Sequence, residues 1–182
     1  MKNEKPKRKR IINPASQPIQ DPEAYIQNSC SDNAKHIKTF SEHIETEFWI
    51  DKHYSDRQLF GDENGKRDGI ELEYIENLIA KSFKHLVYYA LKHKRFIFVN
   101  YPPKAIVPVR IVLKEEFAKQ EILNVVAEYH FVELNKYEVT IRTAMRKENF
   151  IASDGQFTVL LNDDESVLQL TQGKTANEID RY

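Results

Sequence analysis

Two adjoining segments near residue 135 alternate apolar and polar side chains. In NVVAEYHFVELNKYEVTIRTAMRK, residues 124–147, the odd positions are mostly apolar on both sides of a short polar turn. Successive side chains of a strand point to opposite faces, so this alternation predicts a β-hairpin that buries its odd positions. The even positions then form a polar, solvated face.

Cross-strand partners point to the same side of a sheet, which restricts the pairing of this hairpin. His130 is expected to lie opposite Glu138 or Thr140. Glu128 is expected to lie opposite Thr140 or Arg142. The polar face therefore brings acid, imidazole and guanidinium groups together.

Two helices are predicted before the strands. Between about Pro22 and Tyr54, apolar residues recur at three- and four-residue spacing, which is typical of an amphipathic helix. Asp68 and Glu71 have the spacing of a capping box, which opens a second helix that runs to about Ala90. Further strands are predicted in RFIFVNY, VRIVLKE and GQFTVLL.

This order of elements predicts an α+β fold. Two N-terminal helices are expected to pack on an antiparallel sheet of about four to five strands, with one face buried and the other solvated. Residues 23–162 form this single domain. Residues 1–22, which are basic and rich in proline, are expected to be a disordered arm, and residues 163–182 an acidic C-terminal tail.

Composition narrows the class of protein. The chain has 182 residues, of which 41% are hydrophobic and 30% charged, as in a single globular domain. Its net charge of -1 provides no overall attraction for nucleic acid, so an anion-binding surface has to be local. Neither a spanning helix nor a signal peptide is visible, and the single cysteine, Cys30, is expected to be an ordinary semi-buried thiol. A soluble, cytoplasmic protein is expected, with no membrane partner.

The polar face carries the residue types that cleave RNA without a metal. Either His130 or Glu128 is a candidate for the base, with the other as the acid, and Arg142 and Arg146 are candidates for stabilising the charged transition state. A second set is expected to bind the RNA: Lys114, Arg110, Lys147 and Thr140. The same residue types also cover ordinary solvated sheet faces, so the pattern leaves a purely structural role open.

Metal-binding motifs are missing from the sequence. His43 and Glu47 are four residues apart on the first predicted helix, but there is no HExxH motif and no pair of cysteines. Neither a metal nor another cofactor is expected.

TIRTAMRK is a predicted strand that ends in basic residues, and it follows the predicted helices. This order of elements resembles that of the compact RNase toxin domains of the RelE, barnase, EndoU and colicin group. FSEHIETEFWIDKHYSDR resembles the histidine-bearing helix that opens some of these domains. The likeness covers roughly residues 40–150, although Glu47 stands where such families often place an arginine. The resemblance implies metal-free cleavage of RNA in a toxin–antitoxin or phage-defence setting, with RNA and a neutralising protein as partners.

Two other function classes remain open. The chain fits a non-catalytic subunit of a bacterial or phage assembly that docks through its arm and tail. It also fits an RNA-binding module without chemistry, whose binding would weaken with salt.

Overall fold

One long helix packs against a large mixed sheet in the computed structural model, which describes residues 25–40, 45–52, 54–56, 70–102, 107–118 and 121–182. The helix is α1 (Leu72–Lys92), and the strands are β1 (Ala34–Phe40), β2 (Glu45–Asp51), β3 (Val99–Asn100), β4 (Ile111–Ala118), β5 (Glu121–Glu133), β6 (Lys136–Arg146), β7 (Phe157–Asn162), β8 (Glu165–Gln172) and β9 (Thr175–Arg181). The strand order is β1-β2-β6-β5-β4-β7-β8-β9, and β3 pairs with β5 beyond the end of β4. The pairs β2 with β6, β3 with β5 and β4 with β7 are parallel, and the others are antiparallel.

The expected fold of two helices on an antiparallel sheet of four to five strands is wrong. Residues 34–40 and 45–51, assigned to the first helix, form β1 and β2 instead, and the described part of the chain places nine strands in the sheet. The spacing of the apolar residues was taken as that of a helix. Apolar residues two or four positions apart, however, lie equally well on one face of a strand. In β2, Phe48 is buried in the core and Ile50 packs against it, while the alternate residue Trp49 pairs with Thr140 on the other face.

The second helix is confirmed. It begins at Leu72 after Glu71, whose side chain makes no capping hydrogen bond, and it ends at Lys92. Asp68, the other half of the predicted capping box, lies outside the described residues, as do the basic arm and His43.

The β5–β6 hairpin is confirmed with its predicted pairs. His130 lies opposite Glu138, and Glu128 lies opposite Thr140. Asn135 closes the turn with a φ of 65°, a left-handed conformation that asparagine adopts more readily than most residues.

The hairpin also contains a β-bulge that the alternation did not predict. Ala127 pairs with Ile141 and Val126 with Thr143, which leaves Arg142 as the extra residue of β6. Side chains of β6 beyond the bulge therefore change sides relative to the simple alternation. Ala144 joins the main core in place of the expected Thr143.

The main core lies between α1 and one face of the sheet. The helix contributes a fully buried apolar stripe that includes Ile75, Leu78, Ile79, Leu86 and Tyr89. The residues after Asp163, expected as an acidic tail, extend this sheet as β8 and β9. The Tyr89 hydroxyl fixes β8 to the helix by donating a hydrogen bond of 2.9 Å to the Ser166 carbonyl.

The opposite sheet face, expected to be solvated, is largely buried. Glu128 is 1% exposed and His130 4% exposed, although both lie on the face away from α1. Irregular segments cover this face, residues 25–33 at one end and residues 150–152 at the other, where Val112 and Val126 form a small second core. Along the described ranges, no helix is long and apolar enough to span a bilayer.

Two leucines of α1 test the orientation of the helix. Leu86 is fully buried, so Leu86→Ala should lower the free energy of unfolding by about 2 to 5 kcal/mol. Leu91 is 86% exposed, so the matched control Leu91→Ala should change it by less than about 0.5 kcal/mol. Urea unfolding followed by circular dichroism measures both, and equal losses would contradict this packing.

A buried histidine on α1 predicts acid sensitivity. The His85 ring is fully buried with Nδ1 2.9 Å from Ser166 Oγ, and burial, aided by the charge of Lys84, lowers its pKa. The folded state therefore binds fewer protons than the unfolded chain below the ordinary histidine pKa of about 6.5, and stability should fall as pH decreases from that value.

The variant His85→Gln should lose this part of the pH dependence. The control Leu91→Ala, which changes an exposed side chain that does not titrate, should keep the slope of wild type. Unfolding free energies measured at several pH values provide the comparison, and an identical slope in His85→Gln would rule out this source of acid sensitivity.

Candidate functional site

A cluster of charged and polar side chains lies on the sheet face opposite α1. We call it the Glu128 cluster. Neighbouring strands β5, β6 and β2 supply most of it, because β6 lies between the other two in the sheet. Its members are Glu128, His130, Arg142, Asp51, Arg110 and Cys30.

The Glu128 carboxylate is the centre of the cluster. Its Oε1 lies 2.7 Å from Arg110 Nε and 3.5 Å from Arg142 Nε. Its Oε2 lies 2.7 Å from Cys30 Sγ and 3.4 Å from His130 Nε2. Both oxygens of this buried carboxylate therefore have partners, as a buried charge requires.

These partners keep Glu128 ionised. Burial alone raises the pKa of Glu128, but hydrogen bonds with His130, Cys30 and Arg110, together with the charge of Arg142, lower it to about 2. Glu128 is therefore a fixed negative charge near neutral pH. Of the two roles expected for it, base or acid, that of proton donor does not suit its surroundings.

The β-bulge brings Arg142 to this centre. An extra residue in a strand bends the backbone and redirects its side chain. Arg142 Nη1 donates a hydrogen bond of 2.7 Å to Asp51 Oδ2 at the end of β2, while Nε faces Glu128. The guanidinium thus joins two carboxylates from two different strands.

A turn before β1 closes over the cluster. We call residues Asn28, Ser29, Cys30 and Ser31 the strap. Asn28 Oδ1 accepts hydrogen bonds from the N–H groups of Cys30 and Ser31, at 3.0 and 2.8 Å, which is the geometry of an Asx turn.

Three consecutive strap residues bind the sheet. Asn28 Nδ2 donates to Thr140 Oγ1 at 2.8 Å, and the Ser29 N–H donates to Glu138 Oε2 at 2.8 Å. The Cys30 thiol contacts Glu128. The strap is therefore held by polar contacts.

The environment of Cys30 does not favour a nucleophilic thiolate. Burial raises the pKa of Cys30 to about 12, and the hydrogen bond to Glu128 and the charge of that carboxylate act in the same direction. The thiol stays protonated and donates to Glu128. A reactive cysteine requires the opposite shift.

The same side chains offer donors for a metal ion. One donor atom each of Cys30, Glu128 and His130 lie within 4.8 Å of one another. Sulfur, carboxylate oxygen and imidazole nitrogen are the donors that zinc takes in proteins.

The structure brings together five of the eight predicted site residues. His130, Glu128 and Arg142 meet in the cluster, Arg110 pairs with Glu128, and Thr140 binds the strap.

Arg146, Lys114 and Lys147 lie elsewhere. Arg146 follows the bulge, lies opposite Leu123 and pairs with Glu121 at 3.6 Å. Lys114 donates to the carbonyl of Phe150 at the other end of the face, and Lys147 is exposed after the end of β6. These three side chains are therefore not expected to act with His130.

Asp51 and Cys30 of the cluster and Asn28 of the strap were not predicted as site residues. Asp51 was assigned to a helix, yet the strand alternation of β2 places it on the same face as Trp49, beside β6. Asn28 is a turn-forming residue, but nothing near it in sequence identifies its partner Thr140, which is 112 residues away. Cys30 was expected to be an ordinary semi-buried thiol, because a single cysteine forms no internal disulfide, and its partner Glu128 is 98 residues away.

Comparisons with protein-family models, with curated proteins and with solved structures found no match. The resemblance to RNase toxin domains remains a prediction.

Removal of the central charge tests the cluster. Glu128→Gln keeps the shape of the side chain but leaves Arg110 and Arg142 without their shared carboxylate. The free energy of unfolding should therefore fall by about 3 kcal/mol. The exposed Glu148 provides the control Glu148→Gln, for which a change below about 0.5 kcal/mol is expected. Urea unfolding at neutral pH gives both values. A neutral effect of Glu128→Gln would mean that the cluster does not support the fold.

Proposed function

We propose that this chain is a metal-independent endoribonuclease whose active site is the Glu128 cluster. One observation carries the proposal: His130, Arg110 and Arg142 converge on a single buried carboxylate, each with a ring or guanidinium nitrogen within 3.5 Å of it. An imidazole oriented by a carboxylate, beside guanidinium groups, is a set of groups suited to proton transfer next to a phosphate.

His130 takes the role of general base. Its imidazole accepts the proton of a ribose 2′-hydroxyl, whose oxygen then attacks the adjacent phosphorus. The bond from phosphorus to the 5′ oxygen breaks, and that oxygen takes a proton from solvent. The products are a 2′,3′-cyclic phosphate and a 5′-hydroxyl end, and no metal or oxidant is consumed.

Glu128 acts as a positioning residue in this scheme. Because it stays ionised, its carboxylate orients the imidazole, as the buried carboxylate of a serine-protease triad does. Arg142 and Arg110 stabilise the negative charge that develops on the phosphate. Their side chains are 25% and 40% exposed, so they form the part of the cluster that reaches solvent.

Burial supports a second function, that of a non-catalytic subunit. The charges of the cluster are paired under the strap, and buried ion pairs can serve the fold alone. On this alternative the chain acts in an assembly by docking to another protein. A third possibility is an RNA-binding module without chemistry. Such a module would bind RNA with an affinity that falls as the salt concentration rises, and it would release no cleavage product.

Incubation of the full chain with total RNA in EDTA tests the proposal. Wild type should release discrete fragments with 5′-hydroxyl ends, and His130→Gln, which preserves a polar contact to Glu128, should slow this by about 100-fold or more. Arg146→Ala is the matched control, because Arg146 lies outside the cluster, and should cleave at a rate within about twofold of wild type.

The variant Asn28→Ala controls for closure of the strap. It removes the Asx turn and the bond to Thr140, so cleavage by this variant should be at least as fast as by wild type. If RNA stays intact with wild type and with Asn28→Ala, both at high concentration, the nuclease proposal is rejected in favour of the docking subunit. Equal cleavage rates for His130→Gln and wild type would show that the active site lies outside the Glu128 cluster.

A further inference from the structure

The geometry points to a zinc site formed by Cys30, Glu128 and His130, and to bound zinc holding the strap closed over the Glu128 cluster. Binding of the ion is independent of the proposed nuclease. Its effect on RNA cleavage rests on that proposal.

The three donor atoms already lie close to the spacing that zinc imposes. Zinc bonds of about 2.0 to 2.3 Å place the ligand atoms of a tetrahedral site roughly 3 to 4 Å apart. Glu128 Oε2 is 2.7 Å from Cys30 Sγ and 3.4 Å from His130 Nε2, and all three atoms fall within 4.8 Å. Shifts of about 1 Å or less complete the arrangement.

The chemistry of the donors selects the metal. Sulfur and imidazole favour zinc and related transition metals over magnesium and calcium, which prefer oxygen ligands. On binding, the Cys30 thiol gives its proton to solvent and its sulfur bonds the ion. Thiolate and carboxylate together then balance the two positive charges of zinc.

The surroundings supply a second layer of support. Glu128 binds the metal through Oε2, so Oε1 keeps its contacts with Arg110 and Arg142. Arg142 Nη1 also lies 3.5 Å from the Cys30 sulfur, where it stabilises a thiolate. Outer groups of this kind fix the orientation of metal ligands. Zinc with three protein ligands commonly adds a water as the fourth.

Bound zinc holds the strap closed because its ligands come from two different segments of the chain. Glu128 and His130 belong to β5, whereas Cys30 belongs to the strap, so the ion joins the strap to the sheet. The ion also occupies His130 Nε2 and one oxygen of Glu128. If the cluster cleaves RNA, zinc therefore inhibits cleavage and a chelator restores it.

Direct binding tests the site on the full chain. Zinc should bind at one ion per chain in competition with a chromophoric chelator. Cobalt in its place should give the charge-transfer absorption of a sulfur ligand. Cys30→Ala should abolish that band and weaken zinc binding by at least about tenfold. The control His36→Gln, which alters an exposed histidine, should bind as wild type does.

His130→Gln provides a second variant, because it removes a ligand without touching the strap. It should also weaken zinc binding by at least about tenfold, with the sulfur band retained in weakened form. Absence of stoichiometric binding by wild type, or binding that survives both Cys30→Ala and His130→Gln, would overturn the zinc site.

RNA cleavage separates the two proposals. Cleavage that proceeds in EDTA, and that excess zinc added in place of EDTA slows in wild type but not in Cys30→Ala, supports the closed strap. Cleavage that requires zinc would overturn it. Stoichiometric binding with no cleavage under any condition would leave the zinc site standing and reject the nuclease.

Discussion

A carboxylate buried in the middle of a sheet has to be paired, and Glu128 imposes this constraint on the surrounding structure. Its two oxygens require positive or hydrogen-bonding partners from every direction, and no single strand can supply them. Arg110 comes from the segment before β4, Arg142 from a bulge in β6 and Cys30 from the strap. The bulge and the strap are thus local irregularities that satisfy one buried charge.

The two faces of the sheet are covered by different means. Helix α1 buries one face with an apolar stripe, but a single helix cannot cover both sides of a nine-stranded sheet. The second face is covered by irregular segments, whose backbone groups need partners of their own. The Ser29 N–H, for example, binds Glu138, so a polar sheet face is the natural counterpart of a polar cover.

The sequence predicted what depends on local periodicity. The alternation in β5 and β6 identified the hairpin and the pairs of Glu128 with Thr140 and His130 with Glu138. The alternation failed where the extra residue of the bulge changed which side chains share a face. Arg142 and Arg146 are four positions apart and would share a face in a regular strand, yet they do not meet in the same cluster.

Distance along the chain set the other limit of prediction. The strap has no period, and its bonds to the sheet join residues about a hundred positions apart in sequence. A short turn of this kind contains nothing that identifies its distant partners. For β1 and β2 the failure was one of ambiguity, because an even spacing of apolar residues suits a helix and a strand alike.

The nature of the strap contacts decides how this cluster can open. Lifting an apolar cover exposes hydrocarbon to water at about 25 cal/mol per Å². Lifting the strap exchanges hydrogen bonds of Thr140, Glu138 and Glu128 for hydrogen bonds to water. Such an exchange changes the free energy by about 0.5 to 1.5 kcal/mol for the bond to Thr140 and by about 1.5 to 3 kcal/mol for each bond to a carboxylate. The face under α1 is therefore locked by its packing. The face under the strap can open while the core stays intact, because β5 and β6 keep their places through the residues on their other side.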